Sequence, residues 1–211
     1  MTPAARRRFY AALRAANPSP RTELEYGSTY QLLVAVILSA QATDRSVNAA
    51  TRTLFQVAPT PRAMLELGLA GLNRHIRTIG LHNAKARHLI ATSAALLERH
   101  GGEVPAERAA LEALPGVGRK TANVVLNVAF GQPTIAVDTH IFRVANRTGL
   151  APGRTPRAVE AALEAATPRE FRRHAHHWLI LLGRYVCQAR RPQCPRCPVA
   201  RWCAWPEKRP A

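Results

Sequence analysis

Leu114-Pro115-Gly116-Val117-Gly118-Arg119-Lys120 is the stretch that decides how this chain is read. One helical pattern approaches it from Pro105 to Leu114, and a second leaves it from Arg119 to Phe130. Glycines at 116 and 118 permit positive φ and close backbone approach, so amides of the turn and of the next helical turn can point outward together. That makes an anion cradle at a helix N-terminus, where the dipole adds positive potential. Taken alone, these residues serve equally as a plain two-helix turn. The surrounding sequence shifts the balance toward binding the DNA backbone.

Beyond the turn, Ala122, Val124, Val125, Leu126, Val128 and Ala129 cover most of the helix, while Lys120, Asn123 and Asn127 share one polar stripe. Lys120 falls in the first turn, where the dipole disfavours a cation and favours the neutral, nucleophilic amine. Lysine amines form Schiff bases with carbonyl-like carbons, and a guanidinium, which stays protonated, does not. The 30 basic residues include only three lysines, Lys85, Lys120 and Lys208. A lysine kept here in an arginine-rich chain points to amine chemistry; the alternative is a solvated or phosphate-contacting side chain.

Further out, helix signals recur along the whole chain. Thr2-Pro3, Thr60-Pro61, Thr155-Pro156 and Thr167-Pro168 each offer a capping hydroxyl followed by a proline suited to the first helical position. Gly68, Gly80, Gly101, Gly131 and Gly149 stand where these patterns fade. No run alternates well enough to be a strand, so the sequence predicts an all-α protein of about ten helices. Thr29 to Ala40 is apolar on nearly every face and should form a fully buried central helix.

The 211 residues and 47% hydrophobic content suit one or two globular domains with a real core. A net charge of +17 is self-repelling unless a polyanion is close by, which makes nucleic acid the first partner to consider. The longest apolar run, Leu32 to Leu38, is far short of the ~20 residues that span a bilayer. Met1 to Tyr10 has no apolar stretch resembling a signal peptide. The expectation is a cytoplasmic protein with no membrane partner.

Only two aspartates occur, Asp44 and Asp138. Each precedes a helical pattern and suits an N-cap. A capping carboxylate stays ionised, which also suits a group that stabilises a sugar oxocarbenium or exchanges a proton with an amine. All four cysteines, Cys187, Cys194, Cys197 and Cys203, lie near the C-terminus among Arg184, Arg190, Arg191, Arg196 and Arg201. Clustered thiols in a reducing compartment favour metal over disulfides, and their spacing admits either a structural zinc or an iron-sulfur cluster. His174, His176 and His177 do not share one helix face and read as core and surface residues.

Leu114 to Ala122, then Val137-Asp138-Thr139-His140, then the four-cysteine loop resemble bacterial endonuclease III in order and spacing. Leu38-Ser39-Ala40-Gln41-Ala42-Thr43-Asp44 and Thr78-Ile79-Gly80-Leu81 extend the resemblance over essentially the full chain. It implies an all-α, two-domain helix-hairpin-helix DNA glycosylase fold with a C-terminal iron-sulfur cluster loop. The implied boundaries are a six-helix barrel over 22–132 and a cluster domain from 1–21 and 133–211. The implied activity is a bifunctional glycosylase and abasic-site lyase of base excision repair, acting as a monomer on double-stranded DNA that contains oxidised pyrimidines or abasic sites. Lys120 matches the family's nucleophile, Asp138 its catalytic carboxylate, and the four cysteines the ligands of a 4Fe-4S cluster. Gln41 and Leu81 match the residues that fill and wedge the gap left by an extruded nucleotide, with Gly116, Val117, Gly118, Arg119 and His140 as further DNA contacts. Two other readings compete: a non-catalytic DNA-binding module with a structural zinc, and a monofunctional mismatch glycosylase.

Overall fold

The computed structural model describes residues 1–208, and every regular element among them is helical. The last three residues of the expected cluster domain, 209–211, lie outside the described residues. The chain divides into two compact units, one of residues 23–130 and one that joins 1–22 to 131–211.

The 23–130 unit holds α2 (Thr29–Leu38), α3 (Asp44–Val57), α4 (Pro61–Ile76), α5 (His82–His100), α6 (Arg108–Glu112) and α7 (Arg119–Val128). Tyr30 and Leu32 to Leu38 are all buried, so α2 is the central helix its all-round apolar sequence requires. It ends at Leu38, with the Ser39 hydroxyl turned back onto the Val36 carbonyl at 2.8 Å. The Tyr30 hydroxyl meets Ser93 Oγ at 2.7 Å, which satisfies a buried phenol and pins α2 to α5.

The other unit holds α1 (Pro3–Ala16), α8 (Thr139–Thr148), α9 (Pro156–Ala166), α10 (Arg172–Leu181) and the cysteine loop. Phe9, Tyr10 and Leu13 form the buried face of α1 and explain why the first helix belongs with the C-terminal part. Tyr10 stacks on Phe171 at 5.6 Å between centroids, and the Trp178 indole donates to the Asn17 carbonyl at 2.8 Å.

Thr2, Thr60 and Thr155 cap α1, α4 and α9 as their sequence predicts. Thr167 departs from the pattern: its hydroxyl is buried, donates to Leu163 O at 2.7 Å and meets the Tyr10 hydroxyl, because α9 is only ending there. Thr43 caps α3 in place of Asp44, which sits in the first turn where its charge favours the dipole. Gly68 kinks α4 internally, and at the 80–81 junction the left-handed conformation falls on Leu81 instead of the glycine. The hairpin's first helix is shorter than its pattern, Arg108–Glu112, since the chain bends at Ala106 and Glu107 before the helix begins.

Candidate active site and nucleic-acid interface

The turn between α6 and α7 is closed by Val117 N–H on the Leu114 carbonyl at 3.1 Å, with Val117 itself buried. Gly116 has φ 74, and a Cβ there would lie 2.7 Å from Cβ of His88. Glycine is required at 116 twice over, by conformation and by packing. Gly118 differs: its φ is −90, open to any residue, and a Cβ there would meet nothing within 4 Å. Its bare α-carbon is therefore not demanded by this chain, but it keeps the approach to the turn clear.

No side chain caps α7 at Gly118. Arg119 Nη1 lies 3.8 Å from Glu112 across the hairpin. Lys120 is exposed, whereas Asn123 and Asn127 are fully buried. The polar stripe of the sequence is thus two buried amides with one exposed amine at its head, because the rest of α7 packs into the core beside α2.

One face of α5 organises the rest of this unit. Leu81 precedes the helix, and Lys85, His88 and Thr92 follow at helical spacing. His88 backs Gly116, and the Thr92 hydroxyl donates to the Pro115 carbonyl at 2.6 Å. Lys85 is buried, and its Nζ donates to the Leu38 and Ala40 carbonyls at 2.9 and 2.6 Å. Burial draws its amine below the usual lysine range. Leu81 is 62% exposed, the most of any large hydrophobic residue among those described, and Gln41 is also exposed. The hairpin turn, Gln41 and Leu81 therefore share one support.

In the other unit Asp138 caps α8, with Oδ1 accepting the His140 and Ile141 amides at 2.9 and 2.8 Å. Both bonds use the same oxygen, which leaves Oδ2 outside the cap. His140 is half-buried and meets Arg143 Nη2 at 3.3 Å through Nδ1. A Cβ on Gly183 would fall 2.8 Å from Cβ of His140, so the π-helical turn Leu182–Val186 braces this cap directly. Lys120 and Asp138 belong to different units.

Two residues of α8 that the sequence did not single out grip the cysteine loop. Arg143 donates to the Cys187 and Gly183 carbonyls, both at 2.8 Å. One turn on, Arg147 donates to Gln188 O at 2.7 Å and Ala189 O at 2.8 Å, approaches Cys187 Sγ at 3.9 Å, and lies over the Trp205 ring at 4.2 Å. Their i, i+4 spacing directly after Asp138 was the available signal. Lys208 Nζ donates to Cys203 O at 2.6 Å.

The four cysteines are half-buried and form no disulfide. The Val199 and Trp205 backbones approach the Cys197 and Cys203 sulfurs, and the Cys203 thiol donates to the Arg147 carbonyl at 3.7 Å. Burial pushes both free thiols up, so binding a metal there must displace protons. Among the described residues no three His, Cys, Asp or Glu side chains converge closely enough to hold one metal ion, the three histidines of α10 included. His176 and His177 are buried in the helix, as core residues should be.

A short helix, a glycine turn and a second helix that opens without a side-chain cap make up a helix-hairpin-helix. Residues 34–169 match the family model described as HhH-GPD superfamily base excision DNA repair protein. Endonuclease III of Escherichia coli (strain K12) is 59% identical over 208 residues, which is 99% of each chain. The solved structure described as a trapped endonuclease III-DNA covalent intermediate, estranged-adenine complex, is 42% identical with a TM-score of 0.90, over 97% of this chain and 96% of that one. A thermostable thymine-DNA glycosylase superposes with a TM-score of 0.86 at 25% identity, covering 98% of each. The chain belongs to the endonuclease III family within the HhH-GPD superfamily, a family characterised by an iron-sulfur cluster.

Proposed function

We infer that this chain is a bifunctional DNA glycosylase and abasic-site lyase of base excision repair, removing oxidised pyrimidines from duplex DNA and cutting the strand by β-elimination. The observation that carries the reading is the exposed amine of Lys120 in the first turn of an uncapped α7, in a chain 59% identical to an endonuclease III along its length. The turn at Gly116 and Gly118, with Arg119, holds a backbone phosphate of the damaged strand, and Val117, buried with its amide bonded to Leu114, contributes by closing that turn. Leu81 and Gln41 occupy the space of the extruded nucleotide, an apolar wedge against the stack and an amide for the orphaned base.

Lys120 Nζ then bonds to C1′ of the extruded sugar as the bond from C1′ to the base breaks and the base departs. Asp138 stabilises positive charge on the sugar and accepts the proton that the attacking amine must lose. The sugar ring opens to an imine on Lys120, C2′ loses a proton, and the C3′–O bond breaks to release the downstream 5′ phosphate. Water restores the amine. His140 contributes through the turn that Asp138 caps.

Cys187, Cys194, Cys197 and Cys203 are assigned as ligands of a 4Fe-4S cluster. The choice of cluster over zinc rests on the family to which the chain belongs. Bound there, the cluster would supply a covalent staple for the loop that Arg143 and Arg147 fasten to α8. The protein is proposed to act as a monomer in the cytoplasm, held to the nucleoid by its charge.

The test is strand cleavage of duplexes that each carry one defined oxidised pyrimidine. Base release with a β-elimination product supports the reading. Base release without strand scission assigns a water-using, monofunctional glycosylase, and binding without either product assigns a DNA-binding module.

A further inference from the structure

We propose that Lys85 is a positioning residue that locks the Gln41 and Leu81 loops together, so that both enter the duplex as one preformed element. The proposal rests on the assignment of Gln41 and Leu81 to the gap left by the extruded nucleotide.

Lys85 is joined to both loops at once. Its backbone amide donates to the Leu81 carbonyl at 3.0 Å, inside the first turn of α5. Its Nζ reaches 45 and 47 residues back along the chain, to the Ala40 and Leu38 carbonyls at 2.6 and 2.9 Å. These carbonyls close the C-terminal end of α2, where the dipole favours a cation, and Gln41 is the next residue. The loops also run close together: a Cβ on Gly80 would lie 3.9 Å from the Gln41 carbonyl.

Both loops store strain. Gln41 and Leu81 have φ 55 and 62, the left-handed region that a residue with a side chain adopts only at a cost. Neither has side-chain burial to offset that cost, since both are exposed. A strained, exposed residue keeps its conformation only if neighbouring contacts over-determine it, and Lys85 supplies such contacts at Leu81 itself and at Ala40, the residue before Gln41. A buried ammonium on two carbonyls is also ill suited to attack a sugar, which separates its role from that of Lys120.

The experiment compares Lys85→Met, which keeps the apolar length and loses the donors, with Lys85→Gln, whose single short amide cannot span both carbonyls. Two substrates are used: a duplex with one oxidised pyrimidine, and a single-stranded abasic oligonucleotide that needs no extrusion. Both variants should lose about tenfold or more in single-turnover rate on the duplex, while borohydride trapping on the single strand stays close to wild type. In a Leu81→Ala background, Lys85→Met should add little further loss on the duplex, because the two residues act through one element. Equal losses on both substrates, or full additivity with Leu81→Ala, would overturn the proposal by making Lys85 a general support of the fold. If Lys85→Met does not fold, Lys85→Gln is read by the same criteria. Should Leu81→Ala and Gln41→Ala both keep wild-type duplex activity, the assignment of the two loops fails; should they lose it while Lys85→Met does not, only the role of Lys85 fails.

Discussion

Gln41 and Leu81 lie 40 positions apart and share one backbone conformation that no other non-glycine residue adopts among those described. One lies just after α2 and the other immediately before α5. Their common strain is what a chain pays to present two side chains outward from tight turns.

Replacing Leu81 by Gly should therefore separate stability from function. Relief of the left-handed conformation offsets the extra freedom of glycine in the unfolded chain, so thermal stability should hold or rise by up to about 1 kcal/mol. Duplex lesion processing should fall all the same, because the exposed side chain is lost. A melting curve with a single-turnover assay checks both; a clear loss of stability would show Leu81 to be a packing residue.

Gly116 and Gly118 should respond differently to alanine. Gly116→Ala meets both a positive φ and His88, and should destabilise by about 2 kcal/mol. Gly118→Ala meets neither and should melt within about 0.5 kcal/mol of wild type, yet weaken binding to duplex DNA. Denaturant titration and a salt-controlled binding assay distinguish the pair. Unchanged binding by a folded Gly118→Ala would remove the turn from the interface.

The hairpin, the central helix and the caps at Thr2, Thr60 and Thr155 were legible because each rests on local chemistry: a turn glycine, an all-round apolar run, a hydroxyl before a proline. Thr167 was misread because its hydroxyl is claimed by Tyr10, 157 residues away. The strain at Leu81 was hidden for a similar reason, since a glycine stood next to it. Burial of Asn123 and Asn127, and the grips of Lys85, Arg143 and Arg147, depend on partners no short window contains. The sequence showed residues of the site; what holds them in place is tertiary.

Arg147 fastens the cysteine loop through Gln188, Ala189 and Trp205. Arg147→Met should leave about four irons per chain at purification and shorten the lifetime of the cluster absorbance against a chelator by about tenfold. Equal lifetimes would show that the cysteines alone hold the loop. A colourless protein with one zinc would contradict the cluster assignment itself.

Acid should weaken the fold through His177. Burial, and then the charges of His174 and Arg173, push its ring down to about 4 from the ordinary 6.5. Between those values the unfolded chain takes up a proton that the native ring refuses. Stability is thus level above pH 6.5 and falls as pH drops toward 4, by about 3 kcal/mol at most. The denaturation midpoint of His177→Gln should fall less steeply over this range; identical slopes would assign the acid sensitivity elsewhere.

Borohydride trapping on an abasic duplex tests the central claim most directly, because reduction converts an imine on Lys120 into a permanent protein-DNA bond. Wild-type protein should give the adduct. Lys120→Ala and Lys120→Arg should give neither adduct nor β-elimination, since neither supplies a neutral amine, while DNA binding persists on the remaining charge. Asp138→Asn should bind DNA and release the base slowly. A Lys120→Arg protein that still trapped DNA at the wild-type rate would place the nucleophile on another amine and contradict the account.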